Sequence, residues 1–280
     1  MKFPSSLFQR VTKAALALIL VFPSAGLVQQ DLSAEREQTR RRELGPLSPQ
    51  DSEVLQLRDQ LRQKDRAVRI QAIKGLANIG GQASVMFLRD AVDVAVEKDT
   101  AVRIEAVKAI GQIGSLPESR IVLEVLNIPL VDPDETVRKR TMQALRNTGT
   151  AFACPYLGEA IRRDRSVSVR LEAVEMLLRI GTRFAIPPLA DALRDRNESV
   201  RRRAADALGK IGQLEANVAD ILGLAFAGER SVAVRIEIVG ALGMVREHSG
   251  LEYLKVAMLD RDPTVRKRAT EVYSRVIAFR

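Results

Sequence analysis

Cysteine, histidine and tryptophan are almost missing from this chain, and each shortage removes a class of function. Among 280 residues there is one cysteine, one histidine and no tryptophan. A single thiol, Cys154, can form neither an intrachain disulfide nor a cysteine-based metal site. It stands in an apolar stretch (Ala151 to Leu157) and reads as a packed small hydrophobe. His248 precedes a Ser-Gly turn and has no partner at metal-ligand spacing, so it reads as a loop residue. Aromatic residues make up 4% of the chain. A groove for single-stranded nucleic acid wants exposed aromatics among Lys and Arg, whereas aromatics here, such as Phe87, Phe184 and Tyr253, fall mostly at apolar positions. No glycine-rich phosphate loop, no nucleophile elbow and no strand-like alternation occur. These absences predict no catalytic residues, no metal, no cofactor and no nucleic-acid partner.

What is present is aliphatic and basic. Hydrophobic residues are 46% of the chain and the net charge is +9. With so few aromatics, Ala, Leu, Val and Ile have to do the packing, which suits close helix–helix contact. Lys2, Arg10 and Lys13 are the only charged residues in the first thirty. They lead into the uncharged run Ala14 to Phe22 and then Pro23-Ser24-Ala25-Gly26, the order of a secretory signal peptide. Residues 1–26 are therefore expected to be removed after Ala25 or Gly26, and the protein to be exported to the periplasm. The alternative is a membrane anchor over residues 14–22, although that run is about half of the ~20 residues a spanning helix needs. Membrane contact is expected only if this segment stays uncleaved. Residues 27–49 read as a polar linker closed by Gly45-Pro46 and Pro49.

Residues 50–280 are repetitive. A Val-Arg pair recurs at Val68-Arg69, Val102-Arg103, Val137-Arg138, Val169-Arg170, Val200-Arg201, Val234-Arg235 and Val265-Arg266, at intervals of 31 to 35 residues. Three positions after each Arg stands Ala72, Ala106, Thr141, Ala173, Ala204, Ile238 or Ala269. Seven after it comes Leu76, Ile110, Leu145, Leu177, Leu208, Leu242 or Tyr273. Steps of four, four and three trace one face of an α-helix. Four residues before each Arg lies Asp65, Asp99, Asp134, Ser166, Asn197, Ser231 or Asp262, all good N-cap types. Gly80, Gly114, Gly149, Gly181 and Gly212 follow the helices and fit a left-handed C′ residue. A second helix precedes each of these, as over residues 84–96, 184–193 and 251–259. The expected architecture is an all-α solenoid of about seven helix pairs, each burying its apolar face on the next.

The pattern D-x-x-V-R-x-x-A-x-x-x-L-x-x-I-G, seen from Asp65 to Gly80, resembles HEAT repeats of the phycobilisome-lyase type. The Ala185-Ile186-Pro187-Pro188-Leu189 run is similar to the first helix of that class. The resemblance implies a solenoid whose Val-Arg helices line a concave, partner-binding face. Side chains there that are free of the apolar stripe include Lys139, Arg140, Gln143, Glu172, Glu175, Arg202, Arg203 and Asp206. Their charge alternates in sign from repeat to repeat, as suits a protein partner read by complementarity. The expected function is a non-catalytic adaptor for another protein. The resemblance also implies an alternative, a bilin-chromophore lyase or a chaperone subunit for one. A HEAT-repeat hydroxylase would need His-Glu pairs for iron, and the chain has none. The seven Val-Arg arginines read as structural, since in four repeats the Arg sits four residues after an Asp cap, in reach of it and its neighbours. Tyr273, Val276, Ile277 and Phe279 leave the last helix without an obvious polar cap, which suggests self-association through it.

Overall fold

A computed structural model of the protein describes residues 49–114, 119–148, 151–212, 217–245 and 248–278. The expected signal peptide (1–26), residues 27–48 of the linker, Gly149 and Phe279 lie outside the described residues. Among the described residues every regular element is helical. The α-helices are α1 (Pro49–Gln60), α2 (Arg66–Ile79), α3 (Gly81–Val92), α4 (Thr100–Ile113), α5 (Ser119–Leu126), α6 (Glu135–Asn147), α7 (Cys154–Arg163), α8 (Val167–Ile180), α9 (Ile186–Ala192), α10 (Glu198–Ile211), α11 (Val218–Gly228), α12 (Val232–Met244), α13 (His248–Ala257) and α14 (Pro263–Ala278). Three short 3₁₀ turns precede α6, α7 and α9. The even-numbered helices carry the Val-Arg pairs, so the chain is the expected all-α solenoid of helix pairs. No described helix is long and apolar enough to cross a membrane.

The helix starts follow from the caps. Side chains of Asp65, Asp99, Asp134, Asn197, Ser231 and Asp262 accept backbone N–H groups of the following turn. Ser166 makes no such bond. Its side chain hydrogen-bonds Glu135, whose carboxyl is held below its ordinary value first by Lys139 and then by Ser166. The helix ends follow the glycines only in part. Gly80 and Gly181 take positive φ, at 70° and 61°, but Gly114 and Gly212 continue with right-handed backbone. Gly212 is required for space: a Cβ there would come within 2.8 Å of both Val218 and Val245. Of the preceding helices, α9 is shorter than expected, whereas α3 and α13 start and end earlier. α3 stops at Val92, where the Asp93 side chain turns back to accept the Ala95 N–H. His248 opens α13 instead of lying in a loop, and its side chain is exposed.

The described chain forms two compact units. In the first, which ends at Val125, α2 and α4 lie side by side and α1 and α3 pack on them. Ile73, Leu76, Val85, Leu88, Val102, Val107 and Ile110 are buried there. In the second, from Leu126 onward, α6, α8, α10, α12 and α14 form one layer, with each helix packed against its neighbours. α7, α9, α11 and α13 form the layer over it. The core between the layers is Leu157, Val169, Leu177, Leu189, Val200, Leu208, Leu222, Val234, Leu242, Leu254 and Val265.

The outward side of α14 departs from this scheme. Four residues after the arginine of each of the first six Val-Arg pairs, whose row forms a ladder along the repeats, stands a buried apolar residue, namely Ile73, Val107, Met142, Val174, Ala205 or Val239. In α14 that position is Thr270, which is exposed and donates its hydroxyl to the Arg266 carbonyl. Glu271 and Ser274 beside it are also exposed. Ile277, seven residues after Thr270, is exposed on the same side, so that face is polar over two turns and apolar at its last one.

Candidate functional site

The seven Val-Arg arginines are the first candidates, because a stacked row of guanidinium groups would suit an acidic ligand. Their contacts assign them to the fold. Nη1 of each donates to backbone carbonyls five or six residues earlier, in the loop before its own helix. Examples are Arg69 to Gln63 and Lys64, Arg138 to Asp132 and Pro133, and Arg235 to Glu229 and Arg230. In Arg69, Arg138, Arg170, Arg201 and Arg235 the other edge of the fork takes a carboxylate 25–28 residues ahead. The pairs are Arg69–Glu97 (2.8 Å), Arg138–Asp164 (2.7 Å), Arg170–Asp195 (2.7 Å) and Arg201–Glu229 (2.7 Å). Arg235 reaches Asp260 through Nη2 at 3.1 Å, with Nε 2.9 Å from the second oxygen but off the hydrogen-bond axis.

Each of these carboxylates also accepts the backbone N–H of the next N-cap residue: Asp99, Ser166, Asn197, Ser231 or Asp262. One acid thus ties an arginine of one repeat to the helix start of the next. Burial pushes the Glu229 carboxyl up, but the Arg201 guanidinium and the Ser231 N–H outweigh it and leave it below its ordinary value. The arginines are structural, as expected, but through a different partner. Arg69, Arg138, Arg170, Arg201 and Arg235 reach the acid two residues before the following cap, whereas the spacing alone suggested the cap of their own helix and its neighbours.

The eight side chains expected to bind a partner come from three adjacent helices of the second unit. α6 supplies Lys139, Arg140 and Gln143, α8 supplies Glu172 and Glu175, and α10 supplies Arg202, Arg203 and Asp206. They form two rows that run across the helices. In one, Arg140 donates to Gln143 (2.9 Å) and Gln143 to Glu172 (3.1 Å). In the other, Arg179 pairs with Glu175 (3.1 Å), Glu175 with Arg203, Arg203 with Asp206, and Asp206 with Lys210 (2.9 Å). The Arg203 hydrogen bond holds the Glu175 carboxyl below its ordinary value against partial desolvation, and Glu175 in turn raises Arg203. Lys139 pairs with Glu135 (3.2 Å), and Arg202 reaches Glu237 at 3.5 Å. Arg140 and Arg202 are the exposed cations of the set.

A second surface was not visible in the sequence pattern. In the upper layer of the second unit, α9 packs on α7 and α11 on α13, but α9 and α11 do not close on each other in the same way. A cleft of about 520 Å³ remains between them. Leu193, Ile221, Leu224 and Ala225 line it, with Arg194 and Arg230 at its rim. The brevity of α9, seven residues entered through a 3₁₀ turn and Pro187-Pro188, accounts for the opening. A usable signal was present in the sequence. Leu224 lies off the apolar stripe of α11 and is 72% exposed.

Chemistry-bearing groups are few. Among the described residues no cluster of His, Cys, Asp and Glu could hold a metal. Cys154 is buried, and that burial pushes its thiol up, away from the reactive thiolate.

The family model described as HEAT repeats matches residues 54–146, 154–225 and 186–274. No curated protein matches. Among solved structures, the complex of CpcE and CpcF of phycocyanin lyase from Nostoc sp. is 21% identical, covering 83% of this chain and 96% of that one, with a TM-score of 0.41. Human deoxyhypusine hydroxylase in complex with glycerol is 21% identical over 96% of this chain and 98% of that one, with a TM-score of 0.40. A designed armadillo repeat protein in complex with the peptide (KR)4 is 22% identical over 79% and 99%, with a TM-score of 0.43. Identities and TM-scores this low say nothing of activity.

Proposed function

The chain belongs to the HEAT-repeat family, and from that premise we propose that it is a non-catalytic scaffold, exported by residues 1–26, that holds a protein partner against α6, α8 and α10. Arrays of such repeats generally serve protein–protein interaction, which is the coarse part of this reading. The observation that supports the particular surface is the pair of hydrogen-bonded rows from Arg140 to Glu172 and from Arg179 to Lys210. Long charged side chains lose rotamer freedom on binding, at roughly 0.5–1.5 kcal/mol each. Here they are already held by one another, so a partner meets a preordered pattern. The pattern runs basic, acidic, basic from α6 to α10, which favours a partner of the opposite sequence of charge.

Arg140 and Arg202 are the residues to reverse. Both are exposed, and neither belongs to the arginine ladder. Arg203 is a poorer probe because its replacement also breaks the contacts to Glu175 and Asp206. The double variant Arg140→Glu/Arg202→Glu is expected to melt as the parent does. Its affinity for a partner recovered by pull-down should fall by about tenfold or more, mainly through slower association. Unchanged affinity would move the site off these helices.

Export is tested by the intact mass of the native protein in separated cell fractions. The expected species is periplasmic and begins near Leu27. A full-length species in the membrane would instead mean a tethered scaffold. A full-length cytoplasmic species would overturn export and return the bilin-lyase alternative, to be checked by a shift in the visible absorption of added bilin.

A further inference from the structure

We propose that the cleft between α9 and α11 is a second docking site, and that it takes one acidic amphipathic helix of a partner protein. Three features of the cleft define the ligand. Its walls are aliphatic, from Leu193, Ile221, Leu224 and Ala225, and at about 520 Å³ it falls within the range of ordinary ligand clefts. It is bordered on both long sides by helices, α9 and α11, that do not pack closely on each other. A trough between two helices accommodates the apolar face of a third, with anchors at i, i+3 or i+4, and i+7.

The rim supplies the charge. Arg201 and Arg170 near the cleft are neutralised by Glu229 and Asp195. The side chains of Arg194 and Arg230 are exposed, and no described residue pairs with either. A bound segment therefore meets two uncompensated guanidinium groups beside an apolar wall. Carboxylates are the complement on a protein, since guanidinium pairs with carboxylate through two parallel hydrogen bonds. The adjoining end is open: a Cβ at Gly228 would meet nothing within 4 Å.

The test uses the full chain and a fluorescein-labelled synthetic peptide of about 18 residues, with leucine at the anchor positions and glutamate on both flanks. A twin peptide carries lysine for glutamate. By fluorescence anisotropy the acidic peptide should bind with a micromolar dissociation constant and the lysine twin at least about tenfold more weakly. Leu224→Gln and the double variant Arg194→Gln/Arg230→Gln should each weaken the acidic peptide about tenfold or more, with melting temperature unchanged because all three side chains are exposed. No binding of the acidic peptide at 100 µM protein, on the order of the weakest affinity a docking site needs, would overturn the proposal. So would equal binding of the two peptides, or binding undiminished in the variants. Phosphatidylcholine vesicles with and without phosphatidylglycerol form the last arm. Cosedimentation with the anionic vesicles that is lost in Arg194→Gln/Arg230→Gln, with no binding of the acidic peptide, would assign the cleft to lipid and likewise overturn it. Arg140 and Arg202 do not line the cleft, so this result is separable from that of the scaffold surface.

Discussion

Asp195→Ala should be the most damaging single substitution in the second unit, lowering its stability by about 3–5 kcal/mol. Arg170 and Asp195 are the most buried ion pair of the ladder, with side chains 2% and 5% exposed. The carboxylate takes Arg170 Nε at 2.7 Å and Nη2 at 2.9 Å, and also accepts the Asn197 N–H at 2.8 Å. Removing it leaves a guanidinium charge in a place water does not reach and an unsatisfied N–H at the start of α10. Both losses fall at the junction of α8 and α10. Solenoid stability is close to a sum of repeat and nearest-neighbour terms, so the damage should appear as an uncoupling of the array at that junction. Urea unfolding followed by far-UV circular dichroism should show an earlier transition, or a second step absent from the parent. Asp195→Asn, which keeps one acceptor, should cost less. A loss under about 1 kcal/mol, the scale of a surface ion pair, would mean that Arg170 finds water and that the ladder is ornamental.

The second large effect is a reversal of sign. Alanine is a better helix former than glycine by about 1 kcal/mol, yet Gly209→Ala should destabilise. A Cβ at Gly209 would lie 2.8 Å from Ala241 Cα, 2.9 Å from Ala241 Cβ and 2.9 Å from Met244 Cε. The methionine end can swing aside, but the backbone of α12 cannot. Overpacking of this kind costs about 1–3 kcal/mol, and Gly209→Leu should lie at or beyond the upper end. Gly228→Ala is the control. Its Cβ meets nothing, so it should be neutral or gain up to about 1 kcal/mol. Thermal melts of the three variants decide the matter. Stabilisation by Gly209→Ala would show that α10 and α12 can separate at little cost.

The ladder also explains where the positive charge resides. Its arginines are matched by Glu97, Asp164, Asp195, Glu229 and Asp260, so these acids contribute little negative charge to the surface. The residue just before each of the last four N-caps is Arg165, Arg196, Arg230 or Arg261, and all four are exposed. Arg165 and Arg196 each donate to a carbonyl of the preceding loop, Pro133 and Arg165 respectively. Arg230 and Arg261 point away from any described partner. Of these four Arg230 lines the α9–α11 cleft, while the face of α6, α8 and α10 is mixed in sign.

What was legible in the sequence was whatever repeats along the chain at local spacing. The Val-Arg period, the seven N-cap positions and the apolar stripe depend on neighbours three or four residues apart, so they specify the even-numbered helices and the all-α solenoid without reference to anything distant. The acids that receive the arginines are periodic as well, two residues before each cap, with Gln63 in their place where no described repeat precedes. That regularity was readable, but its meaning was not, because a residue 25–28 positions away becomes a neighbour only when one repeat stacks on the next. The same stacking decided that Gly212 is needed for space and not for its backbone angle, that Thr270 and Ser274 of α14 stay exposed, and that a short α9 leaves a cleft beside α11. Local pattern sets which helices form. Their lengths and distances of approach, which no single repeat encodes, set which side chains are buried against a neighbour and which remain for a partner.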